Sequence, residues 1–227
     1  MVHSIQTIFV ERDITDLSLS VLPIDNFIPE TYPIGAVKID LKEEIIIGIK
    51  NYSGYYIFSN LKDGEYTIRI ESEYYLSKEY KVTIPSYGSP PDGLIYSEDE
   101  DIKLYDYMGV IVATVDLRPN PSYPFPKSSN LIRGLVYKSA NIPIHNAVVK
   151  VLGKSVQTLT TEKGEYVLYF SKLTQEDVIV LGDRKFIRGN GTQEIKIQAE
   201  HPDFGSSSPI SLELEEGTTK SVNISYP

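Results

Sequence analysis

The sequence predicts an all-β protein made of two tandem Greek-key β-sandwich domains that are joined by a Pro-rich linker. The main observation is a motif used twice: residues 33–37 and 54–56 (Pro-Ile-Gly-Ala-Val, then Gly-Tyr-Tyr) correspond to residues 143–148 and 164–166. Ala36 precedes Gly54 by 18 residues, and Ala147 precedes Gly164 by 17, which predicts the same strand-turn-strand unit twice. The 17 Tyr and 7 Phe suit pleated strands, and no long segment shows a helical period.

The first predicted domain, residues 1–117, consists of short apolar or alternating segments separated by turn signals. In one of them Val37, Ile39 and Leu41 face one way, as a half-buried strand requires. Gly54 suits a turn because it tolerates positive φ, and the pair Asp63-Gly64 predicts a tight hairpin. Residues 85–101 are polar, end in an acidic run and predict a surface loop. The predicted strands are 17–23, 36–41, 44–49, 55–59, 65–71, 80–85 and 109–117.

The linker is predicted at residues 118–130, where four prolines favour an extended, semi-rigid segment. Tyr123 and Phe125 alternate with these prolines and are expected to pack against the adjoining sandwiches. The second predicted domain covers residues 131–227, and a short helical turn is expected near 173–177. Its predicted strands are 131–137, 147–152, 156–160, 165–170, 178–181, 185–187, 194–199, 211–214 and 221–224.

The second copy of the motif resembles the carboxypeptidase regulatory-like domain. The family signature is Gly-x-Val, then Pro-Leu/Ile-x-Gly-Ala-x-Val, then Thr-Asp-x-x-Gly-x-Tyr, and the matching residues here are 134–136, 143–149 and 160–166. Asn146 replaces the family glycine, which is tolerable because Asn also adopts the left-handed region. The resemblance implies a seven-stranded, transthyretin-like (prealbumin-like, Ig-like) sandwich in which the alanine packs inside, with no catalytic residue. The first copy is more divergent.

Composition and charge exclude several classes of function. A net charge of −9 disfavours nucleic acid and anionic membranes as partners, and no apolar run is long enough to span a bilayer. The chain has no cysteine, which excludes disulfides and thiolate chemistry. The first seven residues contain no secretory signal. These observations predict a cytoplasmic protein that is not inserted in a membrane.

No reaction centre is evident, so the sequence predicts no catalytic residue, no cofactor and no metal site. The only histidines are His3, His145 and His201, and their spacing supports no shared metal ion. The acidic run 98–101 lacks the spacing of a Ca²⁺ loop and favours a solvated loop, with cation binding left as an alternative. Phosphate-binding glycine loops and nucleophile elbows are absent from the sequence.

Aromatic residues supply the candidate binding site. The tyrosines could form a stacking platform for carbohydrate or peptide, or could instead fill the sandwich cores. The favoured function is a non-enzymatic structural or adaptor protein that binds other protein chains through strand edges or the loop 90–101, in a larger, phage-tail-like assembly. The alternatives are a carbohydrate- or peptide-binding accessory module and an enzyme with a scattered site. The candidate binding residues are Tyr52, Tyr55, Tyr74, Tyr75, Tyr123 and Phe125.

Overall fold

The computed structural model describes residues 15–43, 45–86, 93–95, 97, 99–171 and 173–226, and these form an all-β protein. The two helical segments within these ranges are single 3₁₀ turns, Ser139–Asn141 and Gln175–Asp177. The second confirms the expected helical turn. Neither approaches the length of a membrane-spanning helix. The N-terminal residues 1–14, with His3, lie outside the described residues, as do residues 90–92, 96 and 98 of the predicted docking loop 90–101.

Residues 17–117 form two sheets that face each other across one core. The six-stranded sheet has the order β4-β5-β1-β10-β9-β8, with β1 and β10 parallel, and the four-stranded sheet has the order β3-β2-β6-β7. The strands are β1 (Leu17–Asp25), β2 (Val37–Leu41), β3 (Ile46–Ile47), β4 (Ile49–Lys50), β5 (Tyr56–Ser59), β6 (Gly64–Ser72), β7 (Lys78–Ile84), β8 (Gly93–Ile95), β9 (Ile102–Tyr107) and β10 (Val110–Leu117).

Alternation along the strands builds this core. In β10 every second side chain is buried, and β9 and β6 follow the same rule. Because successive side chains of a strand point to opposite faces, each sheet contributes one apolar face to the interior. Phe58 of the six-stranded sheet and Ile68 and Ile70 of the four-stranded sheet meet in this interior, all at most 1% exposed.

Residues 131–225 form a second pair of sheets around a separate core, together with a two-stranded antiparallel sheet of Val178–Leu181 and Arg184–Ile187. One sheet has the order β12-β11-β15, with β21 and β22 parallel to β11; the other has the order β14-β13-β18, with β19 and β20 on the far side of β18. The strands are β11 (Leu131–Lys138), β12 (Ile142–Pro143), β13 (Val148–Val151), β14 (Gln157–Leu159), β15 (Glu165–Tyr169), β16 (Val178–Leu181), β17 (Arg184–Ile187), β18 (Glu194–His201), β19 (Gly205–Ser206), β20 (Ile210–Glu213), β21 (Thr219–Ser221) and β22 (Ile224–Ser225).

The two halves share a common strand order. The neighbours β5-β1-β10 correspond to β15-β11-β21/β22, and β3-β2-β6-β7 corresponds to β14-β13-β18-β20. In both halves the first strand is parallel to the last, and the glycines of the repeated motif, Gly54 and Gly164, have φ of +80° and +72°. Asn146 adopts φ +58°, as the substitution for glycine requires. The domain limits at 117 and 131 stay a prediction.

Several sequence expectations were wrong in detail. Asp63-Gly64 does not form a hairpin: β5 and β6 lie in different sheets, and residues 60–63 cross between them. The run 44–49 divides into β3 and β4, again in different sheets, and Gly48 at the break packs against the Phe58 ring. The region 85–101 contains strand β8. Ala36 is exposed, whereas Ala147, which occupies the same position directly before a strand, is buried as expected.

The predicted linker lies against the first half. Pro119 forms a β-bridge with Tyr75, and the backbone N–H of Asn120 donates to the carbonyl of Tyr74 at 2.9 Å. Tyr123 belongs to the first core, where it is 4% exposed. Residues 118–123 therefore extend the first sandwich rather than form a free connector.

The first and last strands of the second half approach each other closely at Gly134. A Cβ atom at this position would lie 1.7 Å from the carbonyl oxygen of Val222. Gly134→Ala must push the strands apart and weaken the bond from the Val222 N–H to the Arg133 carbonyl, which measures 2.8 Å. We expect a loss of about 2 kcal/mol or more in the free energy of unfolding, measured by urea denaturation. Leu135→Ala, at an exposed neighbouring position, is the control; equal effects of the two would contradict the close approach.

Candidate functional site

A buried carboxylate holds the junction between the halves. Asp25, at the end of β1, is 1% exposed, and its Oδ2 accepts hydrogen bonds from the hydroxyls of Tyr75 (2.8 Å) and Tyr123 (2.7 Å). Its Oδ1 accepts from the backbone N–H groups of Phe27 (2.7 Å) and Ile28 (3.2 Å). The Tyr75 hydroxyl in turn accepts from the N–H of Ile34. A buried carboxyl group needs hydrogen-bond partners for both of its oxygens, so these donors fix three chain segments around the Asp25 side chain.

An aromatic cluster continues from Asp25 into the second half. Ring centroids are 4.7 Å apart for Tyr123 and Phe125, 4.9 Å for Phe27 and Phe125, and 5.8 Å for Phe125 and Tyr169. Tyr169 lies at the end of β15 and donates from its hydroxyl to Asn26 Oδ1 at 2.6 Å. Such pairs contribute about 0.5–1.5 kcal/mol each beyond burial. We call these residues the junction cluster: Phe27, Tyr75, Tyr123, Phe125 and Tyr169.

The acidic run is paired with cations and is not the solvated loop that was expected. Asp101 is 9% exposed and binds Arg118 through two bonds of 2.8 and 3.0 Å, while Lys78 lies 2.8 Å from it. Lys78 also pairs with Asp99, and Arg118 with Glu100. Burial opposes ionisation of Asp99, but the hydrogen bonds from Lys78 and from the Asp101 N–H, together with the charges of Lys78 and Arg118, outweigh burial and lower the pKa of Asp99. Glu98 lies outside the described residues. No group of three metal-ligating side chains occurs within the described part of the chain.

This ion-pair network borders a cleft of about 770 Å³ between the halves. Its first wall is formed by the start of β7 and the end of β10, with Lys78, Asp101 and Leu117, and its second wall by β13 and β14, with Val148 and Leu159. The cations of the first wall, Lys78 and Arg118, are held by carboxylates of their own wall of the cleft.

The four-stranded sheet turns a charged face to solvent. Arg69 binds Asp40 on the neighbouring strand through two bonds of 2.9 Å, and Lys38 also lies 2.7 Å from Asp40. The Arg69 guanidinium holds the pKa of Asp40 below its usual value. Lys81 pairs with Glu65 in the same face. This is the polar outer face expected of an antiparallel sheet.

The six-stranded sheet has an apolar outer face instead. Directly paired residues of neighbouring strands point to the same side, so the register defines one row across all six strands. Ile49 and Leu94, at the two ends of this row, are 75% and 67% exposed. At the outward positions of the described strands of this sheet, Lys103 and Asp116 carry the charges. We call the following residues the apolar row: Ile49, Ile57, Ser20, Val112, Tyr105 and Leu94.

The structure separates the predicted aromatic binding residues. Tyr75 (1% exposed) and Tyr123 lie in the core beneath the junction, Phe125 is half-buried beside them, and half-buried Tyr74 covers Gly35. These four are therefore not a solvent-exposed platform, because packing and Asp25 occupy them. Tyr52 is fully exposed in the turn before β5, and Tyr55 is half-buried next to it. Binding by Tyr52 and Tyr55 stays a prediction.

No family model matches the sequence, and a search of curated proteins also found no match. The resemblance to the carboxypeptidase regulatory-like domain therefore stays a prediction.

Among solved structures, the chain is similar to the Bacillus anthracis TIE protein, with 10% identity and a TM-score of 0.30. That alignment covers 93% of this chain and 34% of the TIE chain, so the chain spans about a third of that protein's length. A C-terminal fragment of the pilus adhesin SpaC from Lactobacillus rhamnosus GG aligns with 91% of this chain and 97% of its own, at 10% identity and a TM-score of 0.29. The alignment with a streptococcal ancillary pilin covers 94% of this chain and 62% of the pilin chain, at 11% identity and a TM-score of 0.27. Similarity at this level assigns neither a family nor a function.

Asp25→Ala removes the acceptor of four hydrogen bonds at the junction. Two tyrosine hydroxyls and two backbone N–H groups then lose a buried partner, so we expect a loss of roughly 3 kcal/mol or more in the free energy of unfolding. Urea denaturation measures the loss, with Asp183→Ala, an exposed aspartate, as the control. Tyr123→Phe removes one of the four bonds and should cost about 1 kcal/mol. A change below about 0.5 kcal/mol for Asp25→Ala, the range of ordinary surface substitutions, would show that Asp25 does not hold the junction.

Alkaline pH should unfold the protein through its buried tyrosines. Burial raises the pKa of Tyr75, Tyr123 and Tyr169 above the usual value of about 10, so the folded state favours their protonated form. The resulting stabilisation is complete below about pH 10 and is lost as the pH rises above it. Tyrosinate absorbance should show one group of tyrosines that ionises early and another that ionises together with the loss of circular dichroism.

The control for this titration is Tyr52→Phe, which removes an exposed ring and should leave the alkaline midpoint of unfolding unchanged. Simultaneous ionisation of all 17 tyrosines in a protein that keeps its circular dichroism would contradict the prediction.

Proposed function

We propose that this chain is a non-enzymatic structural or adaptor protein that binds another protein chain through the apolar row. It is made of two tandem sandwich domains divided within residues 118–130. The apolar row carries the proposal, because an outer sheet face on which aliphatic and aromatic side chains predominate is costly in water and is typical of an interaction surface. The outer face of the four-stranded sheet in the same sandwich differs from it, because its charged side chains form ion pairs.

The chemistry of the row favours a protein partner over a carbohydrate. Sugar recognition needs several convergent hydrogen-bond donors and acceptors, whereas the row offers the hydroxyls of Ser20 and Tyr105 among aliphatic side chains. The centre of a protein–protein interface is apolar and depleted of charge. A carbohydrate site built on the tyrosines has less support, because Tyr75 and Tyr123 are buried.

The junction supports a structural role. The bond from Tyr169 to Asn26 and the ring contacts of Phe125 tie the end of β15 to the loop after β1. Arg133 reinforces the contact by lying 5.2 Å from the Phe125 ring and donating to the Pro121 carbonyl. Two sandwiches held in this way present their surfaces at a fixed angle, which suits a component of a larger assembly. A phage-tail-like particle is one such assembly, proposed by analogy of fold alone.

The test compares tagged full-length variants in affinity purification from the native cells. Ile49→Asp combined with Leu94→Asp places charges at both ends of the row, and Ile142→Asp combined with Val180→Asp places them on exposed apolar positions of the second half. We expect the wild type and the second variant to recover the same partner in stoichiometric amount. The first variant should recover at least about tenfold less, since 1.4 kcal/mol of charge burial suffices for that change.

Thermal melts of both variants must match the wild type for the comparison to hold, and their exposed positions favour this outcome. Equal recovery of every partner by both variants would contradict binding through the row, because only one variant alters it.

A further inference from the structure

We propose that the protein chain bound by the apolar row is a second copy of this chain, packed sheet against sheet about a two-fold axis. The axis lies between the two sheets and runs along the strands, between β1 and β10. This inference rests on the proposed function, since it identifies the partner of the same surface. Three observations carry it: the symmetry of the sheet, the charge of the chain and the area of the face.

The six-stranded sheet is nearly symmetric about its centre. Three strands lie on each side of the boundary between β1 and β10: β5 and β4 follow β1, and β9 and β8 follow β10, each antiparallel to its neighbour. Because β1 and β10 are parallel, a two-fold rotation about an axis along them places each strand on a strand of the other side that runs in the same direction. A second copy related in this way presents β10 to β1, β9 to β5 and β8 to β4. The interface is isologous and closes as a dimer.

The same rotation brings complementary side chains together. Ile49 meets Leu94 of the second copy, and Ile57 meets Tyr105 of the second copy. At the centre, Ser20 meets Val112 of the second copy. Ser20 is 6% exposed between its larger cross-strand neighbours, so the middle of the row is a shallow depression that a valine can enter. Large side chains thus pack against each other away from the axis, and at the axis the small Ser20 side chain lies opposite the larger Val112. Packed sheets interdigitate through such differences in side-chain size.

Charge limits where two copies can meet. Each copy carries a net charge of −9, so most surfaces repel their own duplicate. At the outward positions of the described strands of this sheet, Asp116 is the acidic residue, and it lies at the end near the junction. The charged face of the four-stranded sheet cannot serve in this way, because its pairs Asp40–Arg69 and Glu65–Lys81 are already complete. Contact through the apolar row separates the remaining acidic surfaces of the two copies.

The face is large enough for a weak dimer. The strands β5, β1, β10 and β9, spaced by about 4.8 Å, give a width of roughly 19 Å and a length of roughly 20 Å over three rows of outward residues, while β4 and β8 each add one outward residue. Each copy then contributes roughly 450 Å², and the dimer buries about 900 Å², which is the size of a weak or transient interface. The rows on either side of the apolar row contain Val110 with Tyr107, and Leu22 with Thr114.

The absence of cysteine from the sequence allows a test specific for this geometry. Ile49→Cys and Leu94→Cys each place one thiol at one end of the row in the full-length chain. In the proposed dimer, unlike thiols of the two copies face each other at about 10 Å, the spacing of packed sheets, whereas like thiols are separated by five strand spacings, about 24 Å. A short bismaleimide that spans about 10 Å can join only the unlike pair.

We expect about tenfold more covalent dimer when the two variants, carrying different tags, are mixed in equal amounts than when either is treated alone, given the separation of about 24 Å between like thiols. Val180→Cys mixed with Ile49→Cys is the control, because Val180 is equally accessible but lies in the second half. Sedimentation of the wild type should give a dimer, and Ile49→Asp combined with Leu94→Asp should give a monomer.

Equal crosslinking of like and unlike pairs, or a monomeric wild type, would overturn the second-copy proposal. If a different chain is then recovered from cells and lost with Ile49→Asp combined with Leu94→Asp, the proposed function stands and only the identity of the partner is wrong. If no partner depends on the row and the chain is monomeric, both proposals fail.

Discussion

The hydrogen bonds that one buried carboxyl group requires organise the centre of this molecule. The Asp25 carboxyl group is accommodated in the interior because four donors reach it from the loop after β1, from the connection between β6 and β7 and from the segment after β10. The Tyr123 bond spans 98 residues of sequence. The requirement therefore turns a proline-rich connector into part of the first sandwich and places Phe125 where the second sandwich can pack on it.

The outer faces of the two sheets in the first sandwich differ in chemistry: one is charged and the other is apolar. The four-stranded sheet neutralises its outward carboxylates with arginine and lysine on the neighbouring strands, as Asp40 and Arg69 illustrate. The six-stranded sheet places Ile57, Val112 and Tyr105 at the same level. Both patterns obey the same alternation and differ only in the residues at the outward positions. The division within one domain is the physical basis of the proposed binding role.

Local patterns in the sequence predict the all-β class and most strands, such as β10, whose alternation is regular. They do not predict the partners of a strand, which is why Asp63-Gly64 suggested a hairpin where the chain changes sheets. Strand β9 was missed because it adjoins the acidic run and mixes lysine and aspartate with its apolar residues. The apolar row was also missed, since its residues come from six segments and become neighbours only through register.

The parallel pairing of first and last strands has a mechanical consequence. Strand β1 enters the sheet where β10 also begins, and seven paired positions join them along their length. Tension between the start of β1 and the end of β10 therefore pulls the strands past each other, so all the bonds are loaded at once instead of opening one after another. β11 with β21 and β22 repeats the arrangement. Each sandwich is therefore loaded in shear between its first and last strands. A series of such sandwiches can transmit a pulling force while each of them remains folded.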